Sequence, residues 1–352
     1  MYNMNIAFRV DASNQIGTGH VMRCLTLADE LQKAGGRSLF LCKVLQGDLI
    51  HFIEARGYDV VRLQIEESNS PSWDDDACQC FNALIFAGGV DWLVVDCYSL
   101  DIGWETLLRT VAKKIFVIDD LADRPHNCDV LLDQNYYVDS VHRYEGLIPA
   151  ASSQLLGPLF SLLRPQFMEA RSGIRKRDGH IRRILVFFGG SDLQNESLRV
   201  LQVMRNLTYP EVCVDLIIGM QNPHRYELKT FAASLKWITI HYQVSNMAEL
   251  IAAADLYVGA AGTTTWERCC LGLPSLVITV AANQIPSTMD LHQLGVLTYL
   301  GASDMVTFNQ LSMAIENCVV SPEKMKAQSD SGFALVDGLG TSRCAQVIIK
   351  KK

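Results

Sequence analysis

Residues 5–31 read NIAFRVDASNQIGTGHVMRCLTLADEL, and this stretch indicates the fold of the chain. An apolar run of strand length is followed by a loop containing Gly17 and Gly19, and then by an apolar pattern of helical period. Glycines allow tight backbone turns and let a ligand approach the main chain closely. The stretch therefore predicts a strand, a glycine turn and then a helix over His20–Ala34.

The same alternation continues along the chain in two series. Short segments that are apolar on both faces alternate with helix-length patterns, which is typical of a parallel sheet covered by helices. The predicted strands of the first series are Asn5–Val10, Ser38–Lys43, Asp59–Leu63, Trp92–Asp96, Ile115–Ile118, Val130–Asp133 and Gln154–Leu156. Those of the second series lie in RILVFFGG, CVDLIIG, WITIHY, DLYVGA, PSLVITV and VLTYLG, between residues 183 and 301.

A polar, basic stretch, EARSGIRKRDGHIRR at 169–183, separates the two series. Because 352 residues are also long for a single core, we predict an α/β protein of two doubly wound, Rossmann-like domains. The expected N-terminal domain is 1–168, the linker 169–182 and the C-terminal domain 183–352, whose last helix is a candidate to pack back on the N-terminal domain. Such sheets bind ligands at the carboxyl ends of their strands, so a cleft between facing domains is the expected site.

Composition excludes several classes of function. A net charge of −7 argues against a nucleic-acid partner, which requires clustered lysine and arginine. The sequence has neither a signal pattern nor an apolar run of membrane-spanning length, so we expect a cytoplasmic protein with no membrane partner. Its eleven cysteines mostly lie in apolar segments, which is typical of buried, reduced thiols, and their spacing does not match a zinc site.

The glycine turn places His20 at the mouth of the predicted helix. The turn is neither a dinucleotide fingerprint, because Met22 stands where a third small residue is needed, nor a P-loop. The positive end of the helix dipole disfavours a protonated imidazole, so His20 is a candidate general base, with a packed or capping histidine as the alternative. Arg23 follows on nearly the same face and is a candidate partner for a phosphate or for Asp11.

Two further glycine-containing segments follow strands of the second series. They contain Gly189, Gly190 and Ser191, and then Gly262, Thr263, Thr264 and Thr265. Free amides and hydroxyls at a helix start suit a diphosphate. Glu267 is placed to accept hydrogen bonds from a ribose diol, or else only stabilises the helix start. Asn283 and Gln284 follow the next strand, where their neutral amides can bind sugar hydroxyls.

Two groups of aspartates, one run and one pair, suggest metal chemistry as an alternative. Asp74–Asp76 precede a helical pattern, and Asp119 and Asp120 follow a strand. Oxygen ligands of this kind suit hard cations. We expect the first run to be solvated residues at a helix start, and the second pair to make structural or substrate contacts rather than to bind magnesium. The sequence thus predicts neither a metal nor a cofactor.

Four segments carry a resemblance to a known family. RVDASNQIGTGHVMRCLTLADEL, VIDDLADRPHNCDVLLDQN, GPLFSLLRPQF and GAAGTTTWERCCLGLPSLVITVAANQ resemble the UDP-sugar hydrolases of pseudaminic acid biosynthesis. The last of them is also similar to the nucleotide-sugar domain of the GT-B superfamily. The resemblance extends from about Asn5 to about Leu300.

This resemblance implies a GT-B-like fold and a UDP-linked diacetamido sugar as substrate. Water would attack the anomeric carbon with inversion, and His20 would be the catalytic base, without a metal. The residues that it places on substrate-binding positions are Tyr98, Arg164, Gly190, Ser191, Gly262, Thr263, Thr264, Glu267, Asn283 and Gln284. The motif around the glycine turn adds Gly17, Gly19 and Arg23 to the candidate substrate-binding residues. The alternatives are a GT-B glycosyltransferase with a UDP-sugar donor and a nucleotide-sugar binding protein without chemistry.

Overall fold

The computed structural model describes residues 4–64, 73–207, 209 and 211–351. The chain forms two compact units. Unit 1 comprises Met1–Leu162 together with Leu339–Lys352, and unit 2 comprises Leu163–Gly338.

Unit 1 contains a parallel sheet of seven strands. They are β1 (Met4–Val10), β2 (Gly36–Lys43), β3 (Asp59–Leu63), β4 (Val90–Asp96), β5 (Ala112–Ile118), β6 (Val130–Asp133) and β7 (Ser153–Leu156). Their order in the sheet is β3-β2-β1-β4-β5-β6-β7, and β1 and β4 are neighbours at its centre. The predicted strands are confirmed, although several begin earlier, because backbone pairing extends over polar residues that apolar periodicity does not mark.

Unit 2 repeats this arrangement with six parallel strands. They are β8 (Arg183–Phe187), β9 (Cys213–Ile218), β10 (Ile238–Tyr242), β11 (Leu256–Ala260), β12 (Ser275–Thr279) and β13 (Thr298–Ala302). The order β10-β9-β8-β11-β12-β13 is the same Rossmann order, in which the strand order reverses beside the first strand. The predicted pair of doubly wound α/β domains is confirmed.

Helices cover both sheets. They are α1 (Gly19–Lys33), α2 (Ile50–Ala55), α3 (Trp73–Phe86), α4 (Ile102–Leu108), α5 (Pro165–Ser172), α6 (Glu196–Asn206), α7 (Arg225–Ala232), α8 (Met247–Ala253), α9 (Thr264–Cys270), α10 (Ile285–Gln293), α11 (Phe308–Val320), α12 (Pro322–Leu335) and α13 (Gly340–Lys350). The last helix, α13, belongs to unit 1, where it packs against α1. Gly340 permits this docking, because a Cβ there would lie 2.3 Å from the Ser161 carbonyl oxygen.

The basic stretch at 169–182 packs within unit 2 by hydrogen bonds from its arginines. Arg177 is buried, and its guanidinium donates to the carbonyl oxygens of Ile251 and Ala254 at the end of α8 and of Gly272 after α9. Arg171 donates to two more carbonyls of the same unit. Because carbonyl groups at helix ends lack backbone partners, these guanidinium groups satisfy acceptors that would otherwise be orphaned.

No helix in the described part of the chain is both long enough and apolar enough to span a lipid bilayer. All eleven cysteines are free thiols, and eight of them are buried. Their burial agrees with the expectation from the apolar segments in which they lie.

Candidate active site

Reversal of the strand order brings the carboxyl ends of β1 and β4 together in unit 1. In sheets of this topology, the crevice beside these two ends is the usual ligand site. The chain leaves β1 through the glycine turn and enters α1. Asp96 is the last residue of β4, so it lies at the same edge of the sheet as this turn. Residues far apart in the sequence therefore meet at one edge of the sheet.

The glycine turn is built from its own backbone. The Gly17 amide donates to the Ser13 carbonyl oxygen at 2.8 Å, and the Ser13 hydroxyl accepts from the amides of Gln15 and Ile16. Gly17 has a φ of +80°, a conformation that is costly for residues with a side chain. The turn thereby fixes the start of α1 at Gly19 and sets the position of His20 in its first turn.

His20 is held by Asp96. The His20 Nδ1 lies 2.6 Å from the Asp96 Oδ1, and the Asp96 carboxylate is almost completely buried. Arg23 donates to both oxygens of the same carboxylate, from Nε and Nη2, at 2.6 Å each. Burial favours a protonated Asp96, but the charge of Arg23 and the hydrogen bonds from Arg23 and His20 outweigh it and hold the pKa of this carboxyl well below its usual range.

This geometry fixes the tautomer of the imidazole. The Arg23 Nη2 also lies 3.2 Å from the His20 Nδ1, but the shorter contact to a carboxylate, which only accepts, requires the proton to be on Nδ1. In the neutral imidazole the Nε2 atom is then an acceptor, as a general base requires. The expected alternative of an Arg23 pair with Asp11 is wrong, because Asp11 is paired with the buried Arg9 on β1.

Tyr98 packs edge-on against the His20 ring, with the ring centroids 4.8 Å apart. Its hydroxyl donates to the Asp120 Oδ1 at 2.6 Å, and the Asn135 side chain donates to the other oxygen at 3.2 Å. Tyr98 and Asp120 are both only partly buried. A sequence-predicted substrate residue is thus in contact with the candidate base, and Asp120 extends this polar surface.

Asp119 has a structural environment instead. It is fully buried, and its Oδ2 accepts from the Ala122 amide and from the Tyr144 hydroxyl. Arg124 pairs with its other oxygen at 3.0 Å. The sequence predicts structural or substrate contacts for both aspartates. Asp119 makes structural contacts, whereas Asp120 lies at the partly exposed polar surface beside Tyr98.

The expected solvation of Asp74–Asp76 is wrong for Asp76. This residue lies inside the first turn of α3 and is 2% exposed. Its carboxylate accepts from the Arg9 guanidinium at 2.6 Å, from the Trp104 indole at 2.9 Å, and pairs with Lys43 at 3.0 Å. Burial alone would raise the pKa of Asp76, but Arg9 and Lys43 lower it to about 2. The physical reason is that Arg9, inside β1, requires a buried counter-charge.

In unit 2, the strand order reverses between β8 and β11, and each of these strands is followed by a predicted glycine segment. The β8 loop (residues 188–195) has a positive φ of 87° at Gly189, and the β11 loop (residues 261–263) has 118° at Gly262. The β8 loop also lies close to Gly219, because a Cβ added to Gly219 would be 2.3 Å from the Gly190 carbonyl oxygen. Ser191 is half-buried beside these glycines.

Two sequence-predicted residues of unit 2 form an ion pair. The Arg164 Nη2 lies 3.1 Å from the Glu267 Oε1, and the Glu267 side chain is 14% exposed. Burial raises the pKa of Glu267, and Arg164 partly offsets that effect. Gln284 accepts from the Val280 amide, and its side-chain nitrogen would be 3.9 Å from a Cβ on Gly262.

Asn283 is exposed next to Gln284, and Thr263 precedes α9 as its N-cap residue. The structure therefore groups the predicted residues of unit 2 around the β8 and β11 loops and around Glu267. It groups His20, Arg23 and Tyr98 around Asp96 and Asp120 in unit 1. No cluster of three or more histidine, cysteine or carboxylate side chains with metal-binding geometry occurs among the described residues.

Asp96 is the functional residue that the sequence reasoning missed. It is separated from His20 by 76 positions, so no local pattern joins the two residues. The available signal was an apolar strand, Trp92–Asp96, that ends in a carboxylate. In a Rossmann order this strand adjoins the first one, which makes its last residue a candidate partner for the first loop.

Comparisons with known proteins show which family and which fold the chain is similar to. Residues 184–337 match the family model of the glycosyltransferase family 28 C-terminal domain. The chain is 28% identical over 283 residues to the UDP-2,4-diacetamido-2,4,6-trideoxy-beta-L-altropyranose hydrolase of Campylobacter jejuni, covering 80% of this chain and 93% of that protein. The resemblance stated from the sequence is thereby confirmed.

A second relative is a Helicobacter pylori protein whose name combines a pseudaminic acid cytidylyltransferase with the same hydrolase. It is 25% identical over 80% of this chain, which spans 45% of the relative. The crystal structure of MurG from Acinetobacter baumannii is similar over 99% of both chains, with 15% identity and a TM-score of 0.69. The fold is therefore GT-B-like.

Proposed function

We propose that this chain is a nucleotide-sugar hydrolase that releases UDP from UDP-2,4-diacetamido-2,4,6-trideoxy-β-L-altropyranose, in pseudaminic acid biosynthesis. Two relatives named for this activity each align with 80% of the chain. The observation that carries the chemistry is the contact between His20 and the buried Asp96, which leaves one imidazole nitrogen ready to accept a proton. A hydrolase needs such a base to activate water.

In the proposed reaction, His20 Nε2 removes a proton from a water molecule. The water oxygen bonds to the anomeric carbon while the bond from that carbon to the diphosphate oxygen breaks, and UDP leaves with the electron pair. Attack opposite the leaving group inverts the anomeric centre. The imidazolium that forms is stabilised by the Asp96 carboxylate, and a positioned base of this kind contributes about 10²–10⁴-fold to the rate.

Unit 2 binds the nucleotide in this proposal. Gly190 and Ser191 in the β8 loop, with Gly262, Thr263 and Thr264 after β11, face the diphosphate with amides and hydroxyls. Glu267 accepts hydrogen bonds from the ribose diol, with Arg164 as its ion-pair partner. Because a diphosphate is a good leaving group whose charge needs only such donors, the reaction requires no metal ion.

The remaining predicted residues take substrate-binding or supporting roles. Gly17 and Gly19 shape the turn that presents His20, Arg23 holds Asp96, and Tyr98 lies beside the imidazole. Asn283 and Gln284 are proposed to bind the sugar moiety. Placement of the site between the two domains, a cytoplasmic location and the lack of a nucleic-acid partner stay predictions.

One assay tests the proposal against its alternatives. The purified chain is incubated with the UDP-sugar in excess EDTA, with and without added sugar acceptors, and UDP and free sugar are quantified. We expect equal amounts of both products without any acceptor. UDP release only in the presence of an acceptor would identify a glycosyltransferase, whereas binding without turnover would identify a nucleotide-sugar binding protein. Activity that disappears in EDTA and returns with magnesium would overturn the proposed metal independence.

A further inference from the structure

Arg268 on α9 is a buried cation that forms no ion pair with a described carboxylate, although the charge of the adjacent Glu267 acts on it. It is 1% exposed, and its side chain donates from Nε to the Thr264 carbonyl oxygen at 3.1 Å and from Nη2 to the Thr265 hydroxyl at 2.8 Å. Its guanidinium lies over the Tyr257 ring, 3.9 Å from the centroid. Within the part of the chain that the structure describes, no carboxylate forms an ion pair with Arg268, and its Nη1 has no hydrogen-bond partner.

Such an arrangement costs folding free energy. A buried charge is normally paired, because removal of an ion from water is compensated only by an opposite charge and a full set of hydrogen bonds. The Tyr257 ring supplies a cation–π contact, which offsets part of the cost. Burial lowers the pKa of Arg268 from its ordinary value. Arg9 in unit 1 shows the contrast, because it is equally buried but contacts two carboxylates.

The position of the Arg268–Tyr257 pair relates it to both glycine loops of unit 2. The Tyr257 hydroxyl contacts the carbonyl oxygen of Phe187 at 2.5 Å and that of Ala260 at 3.1 Å. These are the last residues of β8 and β11, and the β8 and β11 loops begin at the next residue. Arg268 itself contacts Thr264 and Thr265, directly after the β11 loop. Its charge therefore lies one side chain away from both loops.

We propose that Arg268 is an electrostatic positioning residue for the diphosphate, whose negative charge supplies the counter-charge that no described carboxylate supplies by an ion pair. The inference rests on the proposed function, in which these loops bind UDP. Arg268 acts through the Thr264–Thr265 segment rather than by touching the ligand. Charge interactions across a few ångströms of protein interior are much stronger than in water, so a buried guanidinium is effective without direct contact.

The test compares ligands that share the uridine group and differ in the number of phosphate groups, and therefore in charge. Dissociation constants of uridine, UMP and UDP are measured by calorimetry for the wild type, Arg268→Met and Arg268→Lys, together with the thermal unfolding of each ligand-free protein. For Arg268→Met we expect a loss of UDP affinity of about tenfold or more, a smaller loss for UMP and less than about twofold for uridine. Arg268→Lys, which keeps the charge, should recover most of the UDP affinity. The ligand-free Arg268→Met protein should unfold at the same temperature as the wild type or higher, because an unpaired buried charge has been removed.

Equal losses for uridine and UDP, or unchanged UDP affinity, would overturn the inference and leave Arg268 a packing residue. If Arg268→Met does not fold, Arg268→Gln, which keeps a donor for Thr265, is measured in its place with the same expected outcomes. Failure of the part of the proposed function on which the inference rests, the binding of UDP by unit 2, has a separate signature, because the wild type would then bind neither uridine nor UDP.

Discussion

The proposed role of His20 depends on the residues that contact it rather than on the solvent exposure of its side chain. Its side chain is 14% exposed, the Asp96 carboxylate fixes the proton on Nδ1, and Arg23 keeps that carboxylate ionised. The base is thereby oriented before any substrate binds, which is the condition for efficient proton transfer. Replacement of His20 and replacement of Asp96 therefore make different predictions.

Replacement of the base itself should remove turnover while nucleotide binding survives. For His20→Asn we expect kcat to fall by about 10²–10⁴-fold, because no group remains to accept the proton of water. UDP affinity should stay within about twofold of the wild type, since the proposed nucleotide contacts lie on other residues. His142→Asn is the matched control, because His142 is an exposed histidine of the same unit. A His20→Asn enzyme with more than half of the wild-type rate would remove His20 from the mechanism.

Asp96→Asn tests the orientation of the base separately from its presence. An amide in place of the carboxylate neither fixes the Nδ1 proton nor stabilises the imidazolium, so we expect kcat to fall by about 10²-fold or more with little change in UDP affinity. Asp139→Asn disrupts a similar contact to His142 at the exposed surface and should leave kcat unchanged. Steady-state kinetics and thermal unfolding of both variants give the answer, and equal kcat values would contradict the role of Asp96.

Glu267 should affect binding more than chemistry. Its proposed hydrogen bonds to the ribose exist in the ground state and in the transition state alike, so Glu267→Ala should raise KM more than it lowers kcat. Glu249→Ala, at an exposed glutamate in the first turn of α8, is the control. If calorimetry gives unchanged UDP affinity for Glu267→Ala, this residue only stabilises its helix and its ion pair with Arg164.

At the scale of the elements, the carboxyl ends of β5 and β6 form a buried carboxylate pair. The Tyr144 hydroxyl bridges Asp119 and Asp133, and burial together with the nearby Asp120 raises the pKa of Asp133 to about 7. β6 thus ends in a carboxyl group whose ionisation is coupled to folding.

The raised pKa of Asp133 predicts a pH-dependent effect of Asp133→Asn on stability. The unfolded chain ionises this carboxyl near pH 4, whereas the folded chain keeps it protonated up to pH 7, so its cost to the folded state grows as pH rises through this window. The free energy of unfolding of Asp133→Asn relative to the wild type should increase by up to about 1.4 kcal/mol per pH unit between pH 4 and 7, and then remain constant. Urea unfolding at several pH values, with the exposed Asp59→Asn as control, measures the difference. An effect that is independent of pH would contradict the assignment.

The elements themselves could be predicted from the sequence, whereas their long-range partners could not. Strand and glycine-turn signals are local, so Trp92–Asp96 and the turn at Gly17 follow from apolar runs and residue type. The pairing of Asp96 with His20, and of Asp76 with Arg9, joins residues more than 60 positions apart. Only the strand order brings these residues together. Without that order, the run Asp74–Asp76 consists of residue types that are typical of a solvated helix start. The burial of Arg268 without an ion pair to any described carboxylate is equally invisible to local pattern.

At the scale of the whole molecule, the chain repeats one topology twice and uses the two copies differently. Both sheets have the Rossmann order and carry polar residues at the reversal of strand order. At this position unit 1 has His20 and carboxylates, and unit 2 has the β8 and β11 loops and the buried guanidinium of Arg268. In the proposed function, proton transfer belongs to unit 1 and the binding of the diphosphate to unit 2, so both units act on one substrate.

In the proposed reaction, water attacks the anomeric carbon of the UDP-sugar. Reaction of the purified enzyme with the UDP-diacetamido sugar in ¹⁸O-water, followed by mass spectrometry of both products, tests it most directly. Attack at carbon breaks the bond between the anomeric carbon and the diphosphate oxygen, so the account predicts ¹⁸O in the released sugar and unlabelled UDP. Because free sugars exchange the anomeric oxygen slowly with water, early time points are compared with unlabelled sugar kept in ¹⁸O-water without enzyme. Label in UDP would show attack at phosphorus, and it would contradict the account.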